Sequence, residues 1–416
     1  MQGNETLPQI NSARLWNDIH ESGKIGATEK GGLCRLALSD EDRRVREWFV
    51  EACRAEGCEV RFDELGNLFA RRPGRRSDLH PIAIGSHLDS QPTGGKFDGI
   101  LGVLAGLEVV RTLNEHGFET EHPIEIIDWT NEEGARFAPA MQGSGVFAGA
   151  LEKEAVLSCR DREGLVFGEE LDRIGFRGDE ICGDHPLDSY FELHIEQGPI
   201  LENEKKVIGV VGGVQGMRWY DLTLEGCASH AGTTPMKLRR DASVAAAEII
   251  VAVNRLAGEI GEGALATTGV IDTYPNSRNV VPSRVFMTVD LRHTEVEVLD
   301  RMEARLKEIV STVGSQRQVS EKLDRLWDSP PVKFDAECVG AVRESAKQGG
   351  HLLREITSGA GHDAVYVSRV APTAMIFIPC KDGISHNEIE SATPEHVGAG
   401  ASVLLKAIRL RDRRWG

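Results

Sequence analysis

PIAIGSHLDSQPTGGKFDGILGVLAGLEVV, residues 81–110, runs from a short apolar stretch into acids, glycines and one histidine, then into a longer apolar stretch. The first stretch has the length of a buried strand and the second that of a helix. Strand, loop, helix is the first half of a βαβ unit. A connector needs glycine and polar residues, but it does not need His87, Asp89 and Asp98 together. The loop therefore reads as a metal site to be tested.

The pattern extends in both directions. SDEDRRVREWFVEACRAEG (39–57) reads as a helix, capped by Ser39, acidic in its first turn and ended by Gly57. EVRFDELGNLFARR alternates about a Leu-Gly-Asn turn and reads as a hairpin. HPIEIIDWTNEEG is a strand entering an acidic loop. The alternation predicts an α/β domain on a mainly parallel sheet.

The order changes near VIGVVGGVQGMRWYDLTLEG (207–226), where glycines 212, 213 and 216 read as a hinge or crossing. Strand (217–225), helix (239–257), strand (266–273), strand (284–292), helix (295–311) and strand (317–326) follow. This βαββαβ order is the ferredoxin-like pattern. After SPPVKF (329–334) helix and strand alternate again. The fold class is α/β, a catalytic domain of residues 1–214 and 329–416 interrupted by an inserted domain of residues 215–328.

A chain of 416 residues is long enough for about two domains. Its net charge of −17 argues against non-specific nucleic-acid binding. No apolar stretch reaches the roughly 20 residues of a membrane helix. MQGNETLPQINSARLW shows neither the basic nor the apolar region of a secretory signal, so the expectation is a cytoplasmic protein. Eight cysteines, at 34, 53, 58, 159, 182, 227, 338 and 380, form no C-x-x-C pair and read as reduced, structural thiols.

Four further polar islands interrupt apolar runs. DWTNEEGARF (128–137) sets Glu132 beside Glu133, and ELHIEQGP (192–199) holds His194, Glu196 and Gln197. SGAGHDA (358–364) is a glycine turn with His362 and Asp363, and IPCKDGISHNEIE (378–390) carries His386 and Glu388. Alone, each has an ordinary explanation. A single histidine is more often structural than a ligand, and adjacent glutamates usually mark a solvated turn. Their shared placement after strands is the informative feature, because sites in open α/β sheets gather at the carboxyl ends of strands. Imidazoles and carboxylates without thiolates suit Zn, Mn, Co or Ni in an open catalytic site.

In this order GSHLDSQPTGGKFDG, TNEEG, HIEQGP and SHNE resemble the amidase/hydantoinase/carbamoylase family of dinuclear metallohydrolases, over nearly the whole chain. The family includes N-carbamoyl-L-amino acid hydrolases, allantoate amidohydrolases and some β-ureidopropionases. Peptidase relatives place the bridging aspartate farther beyond the H-x-D motif and often have aspartate where this chain has His194, so the resemblance favours the carbamoylase branch. It implies two divalent metal ions per subunit (Zn, Mn, Co or Ni), with His87, His194, Glu133 and His386 as terminal ligands and Asp98 as the bridge. It implies Asp89 as the acid orienting His87 and Glu132 as the general base that passes a proton to the leaving nitrogen. It also implies a cis Asp98–Gly99 bond.

For substrate the resemblance implies His230 and Asn279 at the developing oxyanion, with the histidine from the neighbouring subunit, and Arg292 on the substrate carboxylate. Gln197 and the backbone of Gly359 and Ala360 are further contacts. His362 and Asp363 either touch substrate or support their turn. The inserted domain would act as lid and homodimer interface. Ordinary readings stand beside these: Arg292 as a strand-end ion pair, Asn279 as a turn cap, and the small-residue stripe of 239–257 as packing on its own sheet.

The predicted substrate is a small ureido carboxylate, with N-carbamoyl-L-amino acids hydrolysed to amino acid, CO2 and ammonia, and allantoate or a β-ureido acid as the alternative. A dipeptidase or aminoacylase is a second enzyme reading. A non-catalytic metal-binding protein is a third, whose signature would be a lost ligand or a lost Glu132; neither is lost.

Overall fold

The computed structural model describes residues 8–413. Residues 1–7, on which part of the signal-sequence reading rests, lie outside the described residues. The chain divides into two compact units. One runs up to Gly213 and resumes at Phe334; the other is Val214–Lys333.

In the first unit the opening stretch folds as strand Ile82–Ser86 and helix Ile100–Glu115. Every residue of that strand is buried, and so is nearly every residue of the helix. Each fully buried leucine of the helix contributes roughly 1.5–3 kcal/mol of transfer free energy. The hairpin forms as Glu59–Phe62 paired with Leu68–Arg72. Across the sheet the order is Glu59–Phe62, Leu68–Arg72, Ile124–Asp128, Ile82–Ser86, Ser189–Ile195, Thr373–Ile378, Ile208–Val214. The centre is parallel: Ile82–Ser86 runs with Ile124–Asp128 and Ser189–Ile195, and Ser189–Ile195 runs with Thr373–Ile378. Antiparallel partners flank it on both sides. The parallel strands therefore end together, with Ser86 level with Asp128. Helix Asp40–Ala55 starts where predicted, and the Asp42 N–H donates to Ser39 Oγ.

In the second unit an antiparallel sheet has the order Ile271–Tyr274, Arg284–His293, Gly216–Glu225, Ser320–Ser329. Helices Ala242–Ile260 and Val296–Arg317 pack on it around Tyr220, Leu222, Leu224, Val285, Met287 and Leu306. The single strand expected over 266–273 is instead two, Leu265–Thr267 and Ile271–Tyr274. Between them the Val270 N–H donates to the Thr288 side chain at 3.1 Å rather than to the ladder. Strand Ser320–Ser329 pairs with Gly216–Glu225 with a bulge between Arg325 and Trp327, and the unit extends to Lys333. At Gly216 an added Cβ would lie 2.6 Å from Pro331.

Candidate metal centre

Three loops and one strand end meet at one edge of the parallel core, and their side chains converge on Asp98. His87 follows strand Ile82–Ser86 directly, and the acidic loop of Glu132 and Glu133 follows Ile124–Asp128. His194 is the penultimate residue of Ser189–Ile195, and His386 lies beyond Thr373–Ile378 with φ +53°. The sharp return after Asp98 is made by Gly99 at φ +70°, where an added Cβ would meet the His87 ring at 2.3 Å. The expected cis Asp98–Gly99 bond is absent from the cis peptides of the described residues, which are Ala138–Pro139 and Tyr274–Pro275. The positive φ of Gly99 turns the chain instead.

The two oxygens of Asp98 face different partners. Oδ1 lies 3.1 Å from His194 Nε2 and 3.8 Å from His87 Nε2. Oδ2 lies 3.3 Å from His386 Nε2, which is 3.4 Å from Glu133 Oε2. Two donor triads result, His87–Asp98–His194 and Asp98–Glu133–His386, each with its ligand atoms within 4.8 Å of one another. Three imidazoles with carboxylates and no thiolate make a donor set for a borderline divalent ion. A third grouping, Glu192–His194–His362, has the same compactness. Its donors are engaged, however. Glu192 accepts from Ser86 Oγ, Tyr190 OH and the Ala364 N–H, and His362 Nε2 pairs with Ser358 Oγ.

The backbone and the carboxylate of Asp89 have different partners. His87 Nδ1 is 2.9 Å from the Asp89 backbone carbonyl but 3.7 Å from its carboxylate. The backbone orients the imidazole, which fixes the Nδ1–H tautomer and leaves Nε2 toward Asp98. The carboxylate is used elsewhere. Its oxygens accept the N–H groups of Glu132 and Glu133, each at 3.2 Å. It thereby fixes a turn in which the adjacent glutamates diverge. Glu132 Oε2 comes 3.5 Å from His87 Nε2. Glu133 turns to His386 and accepts from Gln91 Nε2 at 2.7 Å. Gly134, at φ +63°, completes the turn.

The electrostatics suit bound cations. Burial, with Asp363, Glu133 and other nearby carboxylates, holds the Glu132 carboxyl well above its ordinary range. Burial and Asp98 push Glu133 up to about 7. Burial opposes ionisation of Asp98 too, yet hydrogen bonds from His194 and His386 hold it well below the usual carboxylate range. Crowded buried carboxyls of this kind are relieved by divalent cations, which invert the local preference for the proton.

Three residues at the centre were not singled out by sequence. Glu390 accepts from the N–H groups of Phe97 and Asp98 and from Ser385 Oγ, tying the Asp98 and His386 loops together. Ser385 Oγ also lies 3.1 Å from Asp98 Oδ2, so its one proton is shared between the two carboxylates. Gln91 holds Glu133. Glu388, in the same island as His386, instead accepts from Thr28 Oγ1.

The predicted substrate residues fall in two groups. In the first unit Gln197 Nε2 donates to Asp98 Oδ2 at 3.0 Å, and its buried Oε1 has no hydrogen-bond partner among the described residues. The Ala360 N–H is taken by Ser358 Oγ, which also donates to the Ala360 carbonyl, so the 358–362 turn, with Gly359 in it, is braced by Ser358 and His362. Asp363 bonds Ser144 and is buried, in a supporting position. In the second unit His230 and Asn279 are brought together: Val280 pairs with His230, and the Ala231 N–H donates to the Asn279 carbonyl at 2.9 Å. The Gly232 N–H donates to His230 Nδ1, which leaves Nε2 of the neutral ring to carry the proton. Arg292 stands on the sheet face away from the helices, its guanidinium held by Asp290 at 2.8 Å.

Comparison with known proteins identifies the family. The family model described as Peptidase family M20/M25/M40 matches residues 83–410. The chain is 46% identical over 400 residues to an N-carbamoyl-L-amino-acid amidohydrolase of Rhizobium meliloti, covering 96% of each. It is 33% identical over 413 residues to the allantoate amidohydrolase of Escherichia coli, covering 99% of this chain and 97% of that one. A solved amidase of the hydantoinase/carbamoylase family from Burkholderia multivorans superposes with TM-score 0.94 at 54% identity, covering 97% of this chain and 98% of that one. The chain thus belongs to the M20/M25/M40 peptidase family, among its hydantoinase/carbamoylase amidases.

Proposed function

We propose that this protein hydrolyses the ureido C–N bond of N-carbamoyl-L-amino acids, using one water to give the amino acid, CO2 and ammonia. The observation that carries the reading is the pair of triads sharing Asp98, with Glu132 beside them. The greater similarity to N-carbamoyl-L-amino-acid amidohydrolases than to allantoate amidohydrolases supports that substrate.

His87, Asp98 and His194 would hold one divalent ion, and Asp98, Glu133 and His386 a second. Such ions supply Lewis acidity, polarising the ureido carbonyl and acidifying water. That chemistry is needed because a carbon flanked by two nitrogens is a poor electrophile. Glu132 takes the proton of the attacking water and delivers it to the leaving nitrogen. Asp89 keeps Glu132 in place through its backbone N–H. Gln197 Oε1 accepts an N–H of the ureido group. His230, with Nε2–H, and Asn279 donate to the oxyanion. Arg292, aimed by Asp290, grips the carboxylate. The inserted unit is read as a ferredoxin-like lid that also forms a homodimer. Its helix Ala242–Ile260 and strand Ile271–Tyr274 carry the exposed Val244, Val251, Ile271 and Tyr274, which supports an interface there. No helix of the described residues is long and apolar enough to cross a membrane, in keeping with the proposed cytoplasmic location.

The test is ammonia release by chelator-stripped protein reloaded separately with Mn²⁺, Zn²⁺, Co²⁺ and Ni²⁺. Substrates are N-carbamoyl-L- and D-amino acids, N-carbamoyl-β-alanine, allantoate and dipeptides. Preference for the L-carbamoyl compounds supports the reading. Preference for allantoate or for dipeptides replaces it.

A further inference from the structure

Beneath the metal loops lies a buried charge cluster that the proposed chemistry does not use. Arg35, Asp42, Arg46 and Asp128 have at most 1% of their surface exposed. Their formal charges cancel. Arg46 projects from helix Asp40–Ala55 and engages four residues, three of them outside that helix. Its Nε donates to Asp42 at 3.1 Å and Nη1 donates to the Gly66 carbonyl at 2.8 Å. Nη1 also lies 3.3 Å from Asp128 Oδ2, and Nη2 donates to Thr130 Oγ1 at 3.3 Å. Asp128 Oδ1 in turn accepts the N–H of Leu88, the residue after His87. Arg35 closes the other side: its Nε donates to the Leu88 carbonyl at 3.1 Å. Both peptide groups of Leu88 are therefore held by buried charges, and Thr130 stands two residues before Glu132.

Replacing a buried ion cluster by apolar groups of similar size is often neutral or stabilising. Stability alone therefore does not account for this one. Its contacts instead couple the two loops that carry His87 and Glu132. We infer that Arg46 and Asp128 are positioning residues that set the spacing between His87 and Glu132. The inference rests on the proposed roles of those two residues.

The double variant Arg46→Met/Asp128→Asn tests it. It keeps the cluster neutral and keeps an acceptor for the Leu88 N–H, but removes the links of Arg46 to Asp42, Gly66, Asp128 and Thr130 that brace this contact. Thermal unfolding, kcat, KM and the visible spectrum and affinity of bound Co²⁺ are measured on the whole protein. Outer partners of metal sites are typically worth about 10–100-fold in affinity or activity. The expected result is a Tm close to wild type, KM within about twofold, and a fall of that size in kcat with an altered Co²⁺ spectrum. A folded double variant with wild-type kcat and Co²⁺ spectrum overturns the inference. Should the double variant fail to fold, Arg46→Lys decides. It keeps the charge but cannot reach Asp42, Gly66 and Thr130 at once, so kcat falls about tenfold or more at unchanged KM, and wild-type kcat in it refutes the tie. Absence of ureido hydrolysis by the wild type would sink the proposed reaction instead, and Co²⁺ binding by the variants would still report on the spacing.

Discussion

Asp89→Asn separates two roles for one buried acid. If the carboxylate oriented His87, its loss would show first as loss of the ion held by His87. The structure assigns that task to the Asp89 carbonyl, which the substitution keeps. What changes is the pair of acceptors for the Glu132 and Glu133 N–H groups. An asparagine offers one oxygen and one NH2, so one of those N–H groups faces another donor. A buried donor left without its acceptor costs about 1–3 kcal/mol. Felt wholly in the transition state through a displaced Glu132, that is about 5- to 150-fold in kcat. Steady-state ammonia release, with metal content measured on the same samples, is the assay. The expectation is reduced kcat with metal content retained. Wild-type kcat, or full kcat per bound metal with one ion lost, would refute the assignment.

Four further outcomes are expected. Glu132→Gln lowers kcat by about 10²–10⁴-fold, the usual worth of a general base, with metal content and Tm near wild type. Gly99→Ala forces a Cβ into the His87 ring at a φ of +70°, and weakened Co²⁺ affinity with a lower Tm is the readout. Exhaustive chelation lowers Tm and activity together, and both return with added metal, because ligand that binds only the folded state stabilises it. Glu125 is fully buried; burial raises its carboxyl, but His185 and Arg71 outweigh this and leave it below the ordinary value. Its stabilisation is therefore full above the unfolded-state value of about 4.3 and is lost as pH falls through its lower folded value. Glu125→Gln should be destabilised at pH 7 and differ less from wild type in strong acid, as read by denaturant unfolding at several pH values.

The donors were legible because each sits where an apolar run of strand length stops, and the parallel core ends its strands at one edge. His87, Glu133 and His194 could be found from that pattern, and Asp98 and His386 from their placement between apolar runs. Their grouping into triads could not, because it depends on which oxygen of Asp98 faces which loop. Arg46 does leave a signal in the sequence. It and Asp42, four residues apart, lie on the same helix stripe as the buried Val45, Phe49, Val50 and Cys53. Charges on an apolar stripe need buried partners, and here the partners stand under the site. Glu390 and Gln91 left no such signal, since their roles arise from contacts with residues 293 and 42 positions away. For Asp89, an H-x-D spacing does not show whether the backbone or the carboxylate meets the imidazole.

In the proposed ureido-hydrolysing centre one carboxylate, Asp98, would serve two ions. Metal stoichiometry of the reloaded wild type, His386→Ala and Asp98→Ala, measured beside N-carbamoyl-L-amino acid hydrolysis, tests it most directly. The expected result is two ions in the wild type, one in His386→Ala, and loss of both with loss of turnover in Asp98→Ala. Two ions retained by Asp98→Ala, or undiminished turnover in it, would contradict the account.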